Sequence, residues 1–334
     1  MKSVGVIGAG AWGTALAKVL GAKGHDVMIW SRRDDLAVAI RRDHQNAHYL
    51  PNVTLPETVS ATSSLAEAIA GREIVVLVVP SHALRATLEA ARGDFADDAV
   101  LVSATKGIEN DTLMLMGEVV EDVLGADAGN RLTVLSGPSF AKEVAAEAPT
   151  NVVVASKNDA LCLEVQRVFA TDRLRVYSSD DPAGVEVGGA LKNVVAIAAG
   201  ACDGLGFGHN TRAALITRGL AEIARVALAK GGIVLSIAGL AGMGDLVLTC
   251  TGDLSRNRTV GFEMGRGRTL DEVLGSLGHV AEGVKTAKSA YDLANQLQVD
   301  LPIISEVYRV LYEGKSPRQA VSDLLTRPLK KEWQ

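Results

Sequence analysis

SVGVIGAGAWGTALAKVLGAKGHDVMIW, residues 3–30, decides the fold. Ser3 to Ile7 is a short apolar strand, GAGAWG at 8–13 is a glycine turn, Thr14 to Lys23 reads as a helix closed by Gly24, and Val27 to Trp30 is a second strand. In such a unit the helix N-terminus presents backbone amides and a positive dipole end to an anion. Gly8, Gly10 and Gly13 stand at GxGxxG spacing. The first permits the tight turn, the second lets a pyrophosphate approach the backbone, and the third lets helix and strand pack closely. The spacing alone also occurs in purely structural turns. The flanking strands and helix make it a credible dinucleotide site.

Outward from this unit, further buried strands are expected at Ile74 to Val79, Val100 to Ser103, Leu132 to Ser136 and Asn151 to Ala155. Segments rich in Ala, Leu and Glu separate most of them, which predicts an α/β Rossmann-type doubly wound parallel sheet. Arg173 to Tyr177 reads as the last strand. Beyond it, Ala183 to Gly200, Thr211 to Lys230, Thr269 to Leu274, Gly283 to Leu297 and Ile303 to Tyr312 all read as helix. The SSDDP stretch at 178–182 carries turn residues and a proline at which a helix can start, so the expected domains are 1–180 and an all-α 181–334.

Composition agrees with this division. A chain of 334 residues that is 48% hydrophobic and 22% charged suits two globular domains, and 34 glycines suit many tight turns and close backbone approaches. A net charge of −5 with no long basic run argues against nucleic acid, while leaving room for a locally positive site that attracts a small anion. The three cysteines, Cys162, Cys202 and Cys250, form neither a disulfide framework nor a zinc pair, and the six histidines form no HExxH or HxxxH pair, so no metal is expected. No charged leader precedes the apolar strand, and no apolar run is read as a membrane span; a reduced cytoplasm is the expected home.

Where an NAD-specific fold places an acid at the end of the second strand, this chain has Ser31, Arg32 and Arg33. Two guanidinium groups suit a 2′-phosphate and favour NADP(H), with Arg32 the better placed; Asp34 leaves NAD(H) use open.

VGGALKNVVAIAAGAC, residues 187–202, has one charged side chain, Lys192. Desolvation lowers a lysine pKa toward the range where it exchanges a proton near neutrality, although a helix lysine can also snorkel to water. Gly188 and Gly189 lie four and three residues before it on the same face and are expected to leave room for a substrate beside the ammonium.

Several strings together resemble the bacterial NAD(P)-dependent glycerol-3-phosphate dehydrogenases: GAGAWGTALA at 8–17, ATKGIE at 104–109, SGPSFAKE at 136–143, GGALKNVVAIAAG at 188–200 and AGMGDLVLTCTGDLSRNR at 241–258. The resemblance covers almost the whole chain. It implies a Rossmann domain joined to a helical domain of the 6-phosphogluconate dehydrogenase kind, the site between them, and a homodimer. It implies that Lys192 is the general acid/base for reduction of dihydroxyacetone phosphate to sn-glycerol 3-phosphate, the starting material of glycerophospholipid synthesis. By the same resemblance Lys106 contacts substrate and cofactor, and Asp245, in a glycine-rich loop, binds substrate and orients Lys192. Ser255, Arg256 and Asn257 grip the substrate phosphate, with Arg256 also reaching the cofactor. Gly137 and Ser139 match substrate contacts, and Trp12, Tyr49, Ala141, Val280 and Glu282 match cofactor contacts; Asn193 and Thr249 are polar neighbours of the substrate. Ala11 stands where many relatives have serine, so a hydroxyl contact to the pyrophosphate is replaced by backbone donors. A keto-acid reductase of the same architecture, or a non-catalytic NADPH sensor, would keep the cradle. The joint presence of Lys106, Lys192 and Asp245 argues against the sensor.

Overall fold

The computed structural model describes residues 1–277 and 281–332. Eight strands form one sheet: β1 Ser3–Ile7, β2 Asp26–Trp30, β3 Val59–Thr62, β4 Ile74–Leu77, β5 Val100–Ser103, β6 Leu132–Ser136, β7 Thr150–Ala155 and β8 Leu174–Ser179, in the spatial order β3-β2-β1-β4-β5-β6-β7-β8. β1 is central: Val4 pairs in parallel with Val27 on one side and with Ile74 on the other. The chain therefore reverses its direction of travel across the sheet between β3 and β4, and a crevice opens at the carboxyl ends of β1 and β4, where such folds take ligands. Strands such as β4, IVVL, are apolar throughout because helices cover both faces.

One strand departs from the expected all-parallel sheet. β7 runs antiparallel to β6, with Val134 opposite Ala155. The link between them holds only the five-residue helix Ala141–Ala145, too little to carry the chain back along the strand for a parallel crossover. The next link holds the eleven-residue helix Asp159–Phe169, and β8 duly runs parallel to β7. β3, reading VSAT, was too short and too polar to be anticipated.

The helical half begins at Pro182, where the Asp181 carboxylate accepts from the amide of Gly184. The Pro182–Gly204 helix is its axis, with Leu191, Val194 and Ala199 at the centre of an apolar core built by the helices His209–Ala229, Glu282–Leu297 and Pro302–Tyr312. An unforeseen helix, Arg256–Gly265, packs on it backbone to backbone. A Cβ on Gly200 would stand 1.9 Å from the carbonyl oxygen of Arg258, and one on Gly261 1.8 Å from that of Ile197.

Contrary to the sequence reading, Pro182–Gly204 is long and apolar enough to cross a membrane, but 83% of its most apolar window is buried inside the fold, as befits a core helix. Val234–Thr251 passes the same test with 39% buried.

The two halves meet through specific bonds. Glu186, six residues before Lys192, accepts from the amide of Gly117 at 2.7 Å, in the first turn of the Met116–Leu124 helix. Beside it Lys230 pairs with Glu118 at 2.6 Å. Burial pushes the Glu186 carboxyl up to about 8.

Candidate active site

Lys192 lies midway along its helix and is 7% exposed. It does not snorkel to water: its ammonium bonds the Oδ1 of Asp245, which is itself buried. Lys106, in the loop after β5, donates to Oδ2 of the same carboxylate at 2.7 Å. One carboxylate thus joins the two halves by holding a lysine from each.

The expected loop around Asp245 is a correction. Leu240–Gly244 forms a π-helical turn and Asp245 is the first residue of the helix Asp245–Thr251, where Thr249 Oγ1 donates to the Asp245 carbonyl at 2.6 Å. The two glycines before Lys192 are a second correction. A Cβ on Gly188 would come within 2.7 Å of the Ala241 carbonyl oxygen, and one on Gly189 within 3.0 Å of Ser136 Oγ and 3.6 Å of Lys106 Cγ. The space expected for substrate is filled by protein: Gly188 admits the turn that delivers Asp245, and Gly189 admits the stem of Lys106.

Burial lowers the Lys192 pKa to about 8, with Lys106 pushing the same way and Asp245 resisting. For Asp245 burial acts to raise the pKa, but the two ammonium groups outweigh it and hold the carboxyl below its usual range. The site is a buried lysine with a lowered pKa, held by an acid whose ionised form the two ammonium groups favour.

Next to it lies a set of donors. Ser255 caps the Arg256–Gly265 helix, its hydroxyl oxygen accepting from the amide of Arg258 at 3.2 Å, which leaves its O–H to donate. Asn257 Oδ1 accepts from the amide of Gly283 at 2.9 Å, leaving the side-chain NH₂. Arg256 is exposed and makes no hydrogen bond or ion pair among the described residues, whereas Arg258 is turned away to Asp203 at 2.8 Å. Hydroxyl, guanidinium and amide are thus all left as donors at a helix N-terminus, a combination suited to a phosphate monoester. Glu282 starts the Glu282–Leu297 helix; burial raises its pKa while Arg256, Lys106 and Lys192 pull it down, which places it among those three cations. Asn193, beside Lys192, is buried. Ser139 folds back on its own loop, donating to the Gly137 carbonyl at 2.9 Å.

The glycine turn is closed behind and open in front. Gly8 has φ +134°, and a Cβ there would meet the Val78 carbonyl oxygen at 2.7 Å, while a Cβ on Gly13 would lie 1.9 Å from the Gly8 carbonyl oxygen. At Gly10 nothing lies within 4 Å of an added Cβ, and it caps the Ala11–Ala22 helix without a side chain. Free helix amides facing open space fit a pyrophosphate. Asn46, fully buried, braces the turn by donating to the Ala9 carbonyl and to Thr14 Oγ1, both at 2.8 Å. Sequence reasoning missed Asn46, since nothing in the loop composition marked it. Ala11, Trp12 and Ala141 share one apolar cluster, and Trp12 Nε1 is buried without a partner among the described residues. Tyr49 packs, with Trp12, on the core beneath β1 and β2. Arg32 and Arg33 lie exposed beyond the end of β2. Val280 falls outside the described residues.

Residues 3–162 match the N-terminal family of NAD-dependent glycerol-3-phosphate dehydrogenase, and residues 181–322 match its C-terminal family. The chain is 54% identical over 330 residues to glycerol-3-phosphate dehydrogenase (NAD(P)+) of Syntrophotalea carbinolica, covering 99% of both chains. It is 54% identical to the enzyme of that name from Geobacter sulfurreducens over 331 residues, again 99% of each. The crystal structure of glycerol-3-phosphate dehydrogenase from Coxiella burnetii superposes with a TM-score of 0.93 at 39% identity, covering 98% of this chain and 99% of that one.

Proposed function

Because the chain belongs to the NAD(P)-dependent glycerol-3-phosphate dehydrogenase family, we propose that it reduces dihydroxyacetone phosphate reversibly to sn-glycerol 3-phosphate with Lys192 as the proton donor. The observation that carries this reading is the Asp245 carboxylate shared between Lys192 and Lys106 across the junction of the two halves. The nicotinamide, when bound, supplies the hydride to the carbonyl carbon. Lys192 Nζ holds a proton where the ketone oxygen becomes an alkoxide, and a pKa of about 8 lets it part with that proton near neutrality. Asp245 fixes the direction of the ammonium, and Lys106 adds positive charge on the oxygen side. Ser255, Arg256 and Asn257 hold the phosphate, and Gly137 and Ser139 border the bound ketone; fixing both ends sets the carbonyl in line for transfer.

On the cofactor side, the amides at Gly8 to Gly13 take the pyrophosphate, while Trp12, Tyr49, Ala141 and Glu282 line the remainder of the crevice. Arg32, with Arg33 beside it, reads a 2′-phosphate, so NADP(H) is preferred and NAD(H) is used as well. The division at residues 180 and 181 separates a cofactor-binding domain from a substrate-binding and catalytic one, and residues from each reach the other's ligand at the junction. The three cysteines are free and buried, which suits a reducing cytoplasm, and the product fits the supply of a glycerophospholipid backbone. Ile233, Val234, Leu235, Met243, Val247 and Leu254 are large apolar side chains left exposed within one short stretch, which supports a homodimer through this face.

The test is absorbance loss at the reduced-nicotinamide band with dihydroxyacetone phosphate and each cofactor, beside a 2-keto acid. Turnover of the phosphorylated ketone alone is expected. Turnover of the keto acid in its place would overturn the assignment.

A further inference from the structure

The end of β2 carries two arginines followed by two acids, and their side chains are not equivalent. Arg33 is engaged: its Nε and Nη2 donate to the two carboxylate oxygens of Asp35 at 3.1 and 2.5 Å, a two-pronged pair that holds the guanidinium plane in place. Asp34 is engaged elsewhere, accepting from Ser63 Oγ at 2.7 Å beyond β3. Arg32 makes no hydrogen bond or ion pair among the described residues. The Arg33–Asp35 pair lines a surface pocket of about 240 Å³ together with Leu36, Ala39 and His48, so the guanidinium has room to turn.

We propose that Asp35 is a specificity-determining residue that restrains NADP(H) preference by occupying Arg33 and by placing a carboxylate where a 2′-phosphate would come. This rests on the reading of Arg32 as the 2′-phosphate contact. A phosphate must compete with Asp35 for the second guanidinium and bears the repulsion of a like charge. A 2′-hydroxyl faces neither penalty, since a carboxylate accepts from it. In this chain one arginine is available at once and the other is held by an acid next to it. The pair is exposed, so its influence is graded and falls with salt.

The experiment measures Kd for NADPH and for NADH, separately and without ketone, by fluorescence of the reduced nicotinamide in the full-length protein. Asp35→Asn is expected to tighten NADPH roughly threefold to fivefold and to leave NADH unchanged or slightly weaker, a gain that shrinks at high ionic strength. Arg32→Ala is expected to weaken NADPH about tenfold or more with NADH nearly unaffected. Asp35→Glu keeps the carboxylate and should keep the parent ratio. If Arg32→Ala weakens NADPH selectively while Asp35→Asn fails to tighten it, the role of Asp35 is refuted and the 2′-phosphate reading stands. If Arg32→Ala shifts both coenzymes equally, that reading fails and the proposal falls with it.

Discussion

The Lys192 cluster and the Arg32–Asp35 turn both arrange basic groups around a carboxylate, yet one is buried and the other lies in water. Asp245 is 1% exposed and touches two lysines, so every charge in the cluster depends on the others; in a poorly screened interior their mutual energies are large. Arg33 and Asp35 pair at similar distance but both stand in solvent, where an ion pair contributes little. The same pairing is therefore tightly coupled in one place and loosely coupled and screened in the other.

The largest effect expected is at the buried end. Lys192→Ala should lower kcat by on the order of 10³ in both directions while leaving the Kd for NADPH nearly unchanged, since it removes a proton donor and no cofactor contact. A variant that keeps near-normal turnover breaks the comparison. The coupling within the cluster shows next in the pH profile. Reduction needs the protonated lysine, so kcat/KM for the ketone should fall as pH rises through about 8, and oxidation of the alcohol should rise over the same range. Asp245→Asn removes the charge that opposes deprotonation, so the limb should move to lower pH as kcat drops; a limb that stays in place would show that the carboxylate does not govern the lysine. Arg256 is intermediate, being exposed but aimed at a dianion. Arg256→Ala should raise the apparent KM for dihydroxyacetone phosphate by about 10- to 100-fold, the value of a charge-assisted bond, with a smaller change in kcat. The smallest change is the few-fold gain in NADPH affinity for Asp35→Asn; a gain as large as the Arg256 effect would mean that the turn is far less screened than its exposure implies.

Much of this contrast was readable before the fold was known. The strand, glycine turn and helix of residues 3–30 announced the cradle because each element has its own local chemistry, and Lys192 announced itself by being charged among aliphatics. What could not be read was anything set by distant partners. The antiparallel turn of β7 depends on the length of a link, not on strand composition. Gly188 looked like space for a ligand, whereas it is the seat of a turn from more than fifty residues away. Asn257 was expected to contact a phosphate, and what the sequence hid is that half of its amide is committed to Gly283 on another helix. Arg33 and Asp35 are two residues apart, but their pairing was hidden because adjacent charges in sequence can face any direction.

The bond from Glu186 to the amide of Gly117 has a consequence for how the enzyme meets its ligands. The helix that carries Lys192 is fastened to the sheet-bearing half by the Glu186 carboxyl on a backbone donor, and beside it Lys230, at the end of the neighbouring His209–Ala229 helix, pairs with Glu118. Two loosely tethered halves would lose rotational freedom on each encounter, and that entropy would be subtracted from affinity at every turnover. Here the two bonds already hold the halves together, so less of that freedom is left to be lost when a ligand arrives.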